Sequence, residues 1–361
     1  MRLVKKGKSI QFIIPAEIGI SPGQRFRFEH YLSILEERGF KIKISPFYNI
    51  TSWNSLYQKK QYLNKFLAVT NGMLRRVVDT FTSIKYDYVY IYREASPLGP
   101  PIFEWVLFKI FKKKIIYDFD DAIWVPQTST YNKNILHLKW YSKIKLICSW
   151  SYRVSVGNNF LKEYAEKYAK SVRVIPTVVD TQKNHNQLQR HDATTPAVGW
   201  TGTFSTLKYL EIILPAIVNL QKKYEFNFFV IADVDPKPNL KNYTFIKWNK
   251  ETEISDILRF HIGVMPLIND DISRGKCGFK AIQYMSLGIP AVVSPVGVNS
   301  TIIENGVNGY LCHNIEDWIK SIEILLVDSQ LRETIGIQAR TQIETLYSVE
   351  ATTEQFINQF S

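Results

Sequence analysis

The residues whose types and spacing point to chemistry fall in four short stretches of the 361-residue chain. The densest is Arg274-Gly275-Lys276-Cys277-Gly278, which runs into Phe279 to Leu287, a segment of helix-forming residues without a breaker. A glycine-containing loop entering a helix is a ready anion site. The first-turn N–H groups lack helical partners, and the aligned peptide dipoles place partial positive charge there. Lys276, Lys280 and Gln283 are spaced to line one face of that helix. Two cations at the helix start and an amide one turn further in suit a diphosphate followed by a sugar ring. The alternative is a solvated basic face, because short Gly/Lys loops are common.

The second stretch is Asp118-Phe119-Asp120-Asp121-Ala122-Ile123-Trp124, three acids where the apolar run Ile115-Ile116-Tyr117 ends. Oxygen ligands of this kind suit magnesium or manganese. They equally suit proton handling or sugar-hydroxyl binding, and one of them can cap a following helix. Asp118 is the member expected to be structural. Arg93-Glu94, at the end of the strand pattern Tyr88–Tyr92, form a further charged pair beside the acids. The third stretch holds Arg25 and Arg27 in the first turn of a helix, where cations are mildly unfavourable unless an anion is near. They are candidates for a donor or acceptor phosphate, with solvated arginines as the alternative. The fourth is Thr201-Gly202-Thr203-Phe204-Ser205-Thr206, a hydroxyl-rich glycine loop and a second phosphate-facing candidate.

These residues need strands that end where they begin. In the N-terminal half, strands are expected at Ile10–Pro15, Phe40–Phe47, Tyr88–Tyr92, Ile115–Tyr117, Val154–Val156 and Val172–Pro176, with a helix from about Gln24 to Arg38. Trp53–Arg76 reads as one or two basic-aromatic helices. Phe103–Phe111 reads as an apolar helix more often buried than lipid-facing, and Asn132–Trp150 as another basic-aromatic helix. Thr181–Pro196 is polar and reads as a linker, with His185 and His191 solvated. In the C-terminal half, strands are expected at Ala197–Trp200, Phe228–Ala232, Thr244–Ile246, Ile262–Leu267 and Ala291–Ser294, with a helix over Leu207–Tyr224. Gly288 is expected to end the Phe279 helix in a left-handed conformation. Alternating strands and helices of this kind build parallel α/β sheets, whose ligands bind at the carboxyl ends of the strands.

Gln283 to Val293, the turn Pro295-Val296-Gly297-Val298 and the segment Asn305 to Leu311 together resemble the donor site of family 4 glycosyltransferases. The RGKC-type loop and the DFDDAIW segment are similar to one subgroup of that family, and the likeness covers nearly the whole chain. The resemblance implies the GT-B fold: two Rossmann-like domains facing across a cleft, with a C-terminal helix crossing back to the first. On that reading residues 1–180 form the acceptor domain together with a crossing helix at 347–361, residues 181–196 the linker, and residues 197–346 the nucleotide-sugar donor domain. The resemblance puts Thr203 at a usual arginine position, Lys208 at a lysine position and Trp248 near the base. It also implies retention of configuration and a diphosphate held without a metal or other cofactor. Asp120 falls where the family carries a histidine. Both family glutamates are replaced, by Gly275 and Gln283. Gln283 can still bond ribose hydroxyls; Gly275 cannot contact the sugar, which leaves Asp270 or Asp271 to do so, or a differently held donor.

Composition sets limits. The charge is 45 basic against 33 acidic residues, a net +12, which favours polyanionic or phosphorylated partners or an anionic membrane. Three widely spaced cysteines support neither a disulfide framework nor a zinc site and suit a reducing compartment. No apolar run is long enough to span a bilayer. The expected protein is therefore cytoplasmic, with peripheral contact at the inner face of the membrane, and no motif supports nucleic-acid binding. Its expected work is transfer of a sugar from a nucleotide diphosphate sugar to a phosphorylated or lipid-linked glycan acceptor in cell-surface polysaccharide synthesis. Asp120, Asp121, Arg93 and Glu94 are the candidates for chemistry. The alternative is a non-catalytic nucleotide-sugar-binding partner of an active transferase.

Overall fold

The computed structural model describes residues 8–56, 61–126 and 138–361. The chain forms two compact units, Met1–Pro176 with Thr353–Ser361, and Thr177–Thr352. The division thus falls at Pro176 rather than after Asp180.

The first unit is built on six parallel strands: β1 (Ser9–Ala16), β2 (Lys41–Tyr48), β3 (Tyr88–Tyr92), β4 (Lys114–Phe119), β5 (Arg153–Val156) and β6 (Val172–Val174). Their order is β2-β1-β3-β4-β5-β6. Ile10, Phe12, Ile13 and Ile14 of β1 and the whole of β3 are buried, the unbroken apolar pattern of strands covered on both faces. The chain leaves β1 outward to β2 and returns on the other side at β3. That reversal opens a crevice at the carboxyl ends of β1 and β3, where parallel sheets bind ligands.

Two devices hold that edge. The Gln24 side chain bonds both backbone groups of Ala16, at 2.9 and 3.0 Å. The buried Arg76 guanidinium donates to the carbonyls of Ile14, Ser45 and Ala95, tying together the ends of β1 and β2 and the loop after β3. The helix expected over 24–38 is broken into Pro22–Arg27, a 3-10 turn at Glu29–Tyr31, and Leu32–Glu37. Phe28 leaves helical geometry at φ −142°. In doing so it sets its ring among Phe12, Tyr90 and Tyr92.

Two helices, Ile50–Leu56 and Tyr62–Thr82, follow β2. The segment expected as one buried helix over 103–111 is an α turn at Ile102–Trp105 and a π turn at Val106–Ile110. Only Glu104 and Leu107 of it are buried, because its sheet-facing side is a single i, i+3 pair. Of the helix expected over 132–150, Lys143–Trp150 is helical and residues 127–137 lie outside the described part. Residues 353–361 return to the first unit, where Phe356 stacks on Tyr31 at 4.1 Å.

The second unit repeats the scheme with β7 (Ala197–Thr201), β8 (Asn227–Ala232), β9 (Tyr243–Lys247), β10 (Ile262–Met265), β11 (Ala291–Val293) and β12 (Gly309–Leu311). The order β12-β11-β10-β7-β8-β9 reverses between β7 and β10, the nucleotide-binding arrangement of doubly wound sheets. Trp318, Ile322 and Leu325 from helix Ile315–Val327 pack with Ile217, Leu220, Phe228 and Val230. In place of one helix over 207–224 there is a 3-10 turn at Phe204–Ile212 and a helix at Leu214–Leu220. Pro215, which has no N–H to give, sits at the start of the second.

The polar stretch 181–196 is not a solvated linker. His185 and His191 are buried, and His191 Nε2 lies 2.9 Å from the Gly288 carbonyl. Gln189 bonds the carbonyls of Leu258 and Phe260. Helix ends leave carbonyls without partners, and these polar side chains satisfy them.

Candidate functional site

The donor candidates gather at the carboxyl edge of the second sheet. Helix Phe279–Ser286 starts from Gly278 at φ +69°, a left-handed residue; a Cβ there would lie 2.4 Å from Ile302 Cδ1. Its tyrosine, Tyr284, accepts from Thr201 N at 3.0 Å and so meets the end of β7. Gly263 makes room for that ring, since a Cβ there would sit 2.3 Å from Tyr284 Cδ2. Lys280 Nζ lies 5.4 Å from the centre of the Trp200 ring. The backbone of Gly202 crosses the same indole, where a Cβ would come within 2.3 Å. The two phosphate-facing loops are thus neighbours across one tryptophan.

The Thr201–Thr206 loop is closed by a reciprocal cap, with Thr203 N donating to Thr206 Oγ1 at 3.1 Å. Lys208 is exposed on the 3-10 turn that follows. Tyr209 accepts from Ser273 Oγ at 3.2 Å and joins that turn to the short helix bearing Arg274. Gly275 and Cys277 are buried in the loop, and Lys276 is half-buried. One turn into the helix Gln283 is 2 % exposed, and its Nε2 donor has no partner among the described residues. A buried amide left unpaired costs about 1–3 kcal/mol, so this group is poised for an acceptor. Trp248 follows β9, half-buried, its Nε1 3.3 Å from Glu253. Asp270 caps the backbone of Ser273 at 2.7 Å, and Asp271 is exposed and pairs with Arg274 at 3.7 Å.

In the first unit, Arg93, Asp120 and Asp121 meet at the edge between β3 and β4. Arg93 Nη2 bonds Asp120 Oδ1 at 2.8 Å and Asp121 Oδ2 at 2.5 Å. Tyr92 donates its hydroxyl to Asp120 at 2.8 Å. Burial raises the Asp120 pKa, but the charges of Arg93 and Arg27 and the bonds from Arg93 and Tyr92 outweigh it and hold the carboxyl below its ordinary value. Asp120 is therefore an ionised anchor for Arg93. Gly23, after β1, brings its backbone against this cluster; a Cβ there would lie 2.5 Å from the Tyr92 hydroxyl.

Arg93, Glu94 and Asp121 line a pocket of about 170 Å³ shared with Lys139, Tyr141 and Lys143. Glu94 pairs with the buried Lys143 at 2.6 Å. Asp118 is structural, as expected: it accepts from Arg27 Nε at 3.1 Å and Nη2 at 2.5 Å. Arg27, 1 % exposed, also bonds the Ile175 carbonyl. It is a buried internal partner rather than a residue presented to an acceptor, and Arg25 is half-buried beside Phe26. Asp118 is taken by Arg27, while Asp120 and Asp121 share Arg93. Among the described residues no group of three or more His, Cys, Asp or Glu is placed to hold a metal ion.

Sequence reasoning missed Tyr92, Gly23 and Lys143. Tyr92 read as a strand residue, and only its place directly before Arg93 marked it.

Residues 195–328 match the family described as Glycosyl transferases group 1. Over 81 residues the chain is 30 % identical to spore coat protein SA of Bacillus subtilis, a match that spans 22 % of this chain and 22 % of that relative. Sucrose-phosphate synthase from Thermosynechococcus elongatus superposes with a TM-score of 0.72 at 15 % identity, over 98 % of each chain. HepE of Anabaena, solved with UDP, gives 0.64 at 14 % identity over 97 % of this chain and 99 % of that one; it has also been solved with UDP and glucose and with UDP-glucose. The structural neighbours share the fold of the whole chain, and the family match covers residues 195–328. The two parallel six-stranded sheets with their helices are the GT-B fold of two Rossmann-like domains, and residues 195–328 carry the group 1 glycosyl transferase pattern within it.

Proposed function

We propose that the protein transfers a sugar from a nucleotide diphosphate sugar to a phosphorylated or lipid-linked glycan acceptor in the synthesis of a cell-surface polysaccharide, retaining configuration and using no metal. The observation that carries this reading is the Nε2 of Gln283, unpartnered among the described residues, in the helix that bears Lys280 and follows the loop of Lys276. An amide donor there suits a ribose hydroxyl, while the two lysines and the loop N–H groups suit the diphosphate. They would stabilise charge as it builds on the leaving diphosphate, a term that grows toward the transition state. The UDP complexes of a protein with the same fold support a nucleoside diphosphate as leaving group. In the first unit Arg93 offers a fixed cation and Asp121 a hydroxyl acceptor at one pocket, which suits an acceptor carrying both a negative charge and the attacking hydroxyl. Retention rests on the family resemblance.

One observation favours a second reading, a nucleotide-sugar-binding partner without turnover: the sugar-contacting carboxylate is absent at Gly275, and Asp270 is committed to capping. A donor-turnover assay separates the two. The transferase reading expects slow donor hydrolysis by the wild type, lost in Lys276→Ala and Asp120→Asn. Donor binding with no turnover, alone or with membrane and glycan fractions as acceptors, would establish the inert reading.

A further inference from the structure

The helix Tyr62–Thr82 is inside out. Its sheet-facing residues are Ala68, Gly72, Arg76 and Thr80, small or polar and one helical turn apart. Phe47 of β2 fills the space over Gly72, where a Cβ would sit 2.2 Å from its ring. The large apolar residues face the other way: Leu63, Phe66, Leu67, Leu74, Val78 and Phe81 are all exposed, with Phe66 and Val78 each 66 % accessible. Their spacing of three and four makes one stripe along the helix. The next segment continues it. Phe81 meets Phe111 at 5.8 Å, and Ile102, Trp105, Phe108 and Ile110 are exposed beyond that contact. An apolar surface of this extent on a folded unit marks an interaction face.

Its charge identifies the partner. The only acids within residues 61–85 and 102–113 are Asp79 and Glu104. Asp79 is turned in to Arg76 and Glu104 is buried. Arg75, Lys85, Lys109 and Lys112 are exposed on the same two segments. Lys113 bonds the carbonyls of Ile84 and Tyr86 and pins the basic end of one segment to the end of the other. An apolar stripe rimmed by cations, with no exposed acid on either segment, matches the headgroup and acyl boundary of an anionic bilayer. Among the described residues no helix is long and apolar enough to cross one, so the contact would lie in the plane of the surface.

We propose that helix Tyr62–Thr82 and segment Ile102–Lys112 form a membrane-docking face of the first unit that takes anionic phospholipid. The inference rests on this face alone and holds whether or not the protein transfers sugars.

The test is flotation of the full chain with vesicles of phosphatidylcholine plus phosphatidylglycerol and with phosphatidylcholine alone. The wild type should float with the mixed vesicles, less so at high salt, and not with phosphatidylcholine. The double substitutions Leu74→Ser with Phe81→Ser, and Lys109→Glu with Lys112→Glu, should each lower the partition roughly tenfold or more. All four positions are exposed, so the thermal midpoint should hold; if the serine variant fails to fold, the lysine variant decides. No flotation with anionic vesicles, or flotation of both variants like the wild type, would overturn the proposal. So would a dimer in solution that the serine variant dissolves while no form floats, which would give the face to a second copy of the chain.

Discussion

Arg93 and Asp120 are bonded twice, Nε and Nη2 of the guanidinium reaching Asp120 Oδ1 at 3.0 and 2.8 Å. Arg93 makes these bonds from a left-handed backbone, φ +63°, that disfavours side chains. It is held there by its own N–H on the Asp118 carbonyl at 2.7 Å and by the Tyr117 hydroxyl on its carbonyl at 2.6 Å. Backbone strain kept by the surrounding structure is a mark of a functional position. On the proposed function, Arg93 is the cation of the acceptor pocket and Asp120 the group that fixes it.

Asp120→Asn keeps the shape and removes the charge. Arg93 retains Asp121 and is one-third exposed, so the stability cost should be about 1–2 kcal/mol in urea unfolding. Turnover should fall about a hundredfold with donor affinity unchanged, because the group sits in the other unit from the nucleotide residues. An equal loss of donor affinity would contradict the assignment.

Gln283→Leu removes the buried unpaired donor and fills the same volume. The unliganded protein should melt at the same temperature or slightly higher, since the desolvation cost of the amide disappears. The upward shift given by a nucleoside diphosphate should shrink by about 1 kcal/mol of binding energy, roughly fivefold in affinity, measured by calorimetry. A variant that binds as tightly as the wild type would show that the amide faces no ligand.

Gly278→Ala should be far worse than Gly39→Ala. Both glycines have positive φ, and alanine pays about 1 kcal/mol for that conformation. Nothing lies within 4 Å of a Cβ at Gly39, whereas one at Gly278 meets Ile302 Cδ1 at 2.4 Å. The Gly278 variant should lose about 3 kcal/mol, overlap added to strain, and its anion-binding loop with it. Equal thermal midpoints for the two variants would refute the packing argument.

Stability should fall with acid between about pH 6.5 and 4. Burial, then the nearby charges of Arg332 and His191, holds the His261 imidazole at about 4, below its ordinary 6.5. In that window the unfolded chain carries the extra proton, so lowering the pH draws the equilibrium toward it; above the window the stability is fully present. Burial also lowers the pKa of His191, whose ring lies 6.2 Å from that of His261, and its contribution has the same sign. The loss should be about 2 kcal/mol across the window, allowing for partial solvent exposure. His261→Gln should flatten it; an unchanged slope would place the titration elsewhere.

Much of the fold was legible in the residues. Tyr88–Tyr92 runs unbroken because both faces of β3 are covered, and Gly288 takes the left-handed turn its position called for, at φ +69°. Lys280 and Gln283 share one helix as their spacing requires, whereas Lys276, expected on the same face, lies before it in the loop that Gly278 turns at φ +69°. What a periodic pattern does not reveal is which face meets the sheet. Tyr62–Thr82 has a clear apolar stripe and turns it outward, since Arg76 and Gly72 serve the sheet better. Nor does polarity mean exposure: His185 is buried, and His191 and Arg27 are buried where a carbonyl and a carboxylate inside the fold meet their side chains. Such partners come from distant parts of the chain, Asp118 for Arg27 and Gly288 for His191, and no local signal announces them.

The central claim is that the Gly275–Gln283 loop and helix hold a nucleoside diphosphate. Calorimetric titration of the full chain with UDP, ADP and GDP tests it most directly, in the wild type and in Lys276→Ala with Lys280→Ala. The account predicts that at least one of the three binds the wild type and that the double variant binds it at least about a hundredfold more weakly, as two charge-assisted contacts are lost. Absence of binding by all three, or equal affinity in the variant, would contradict it.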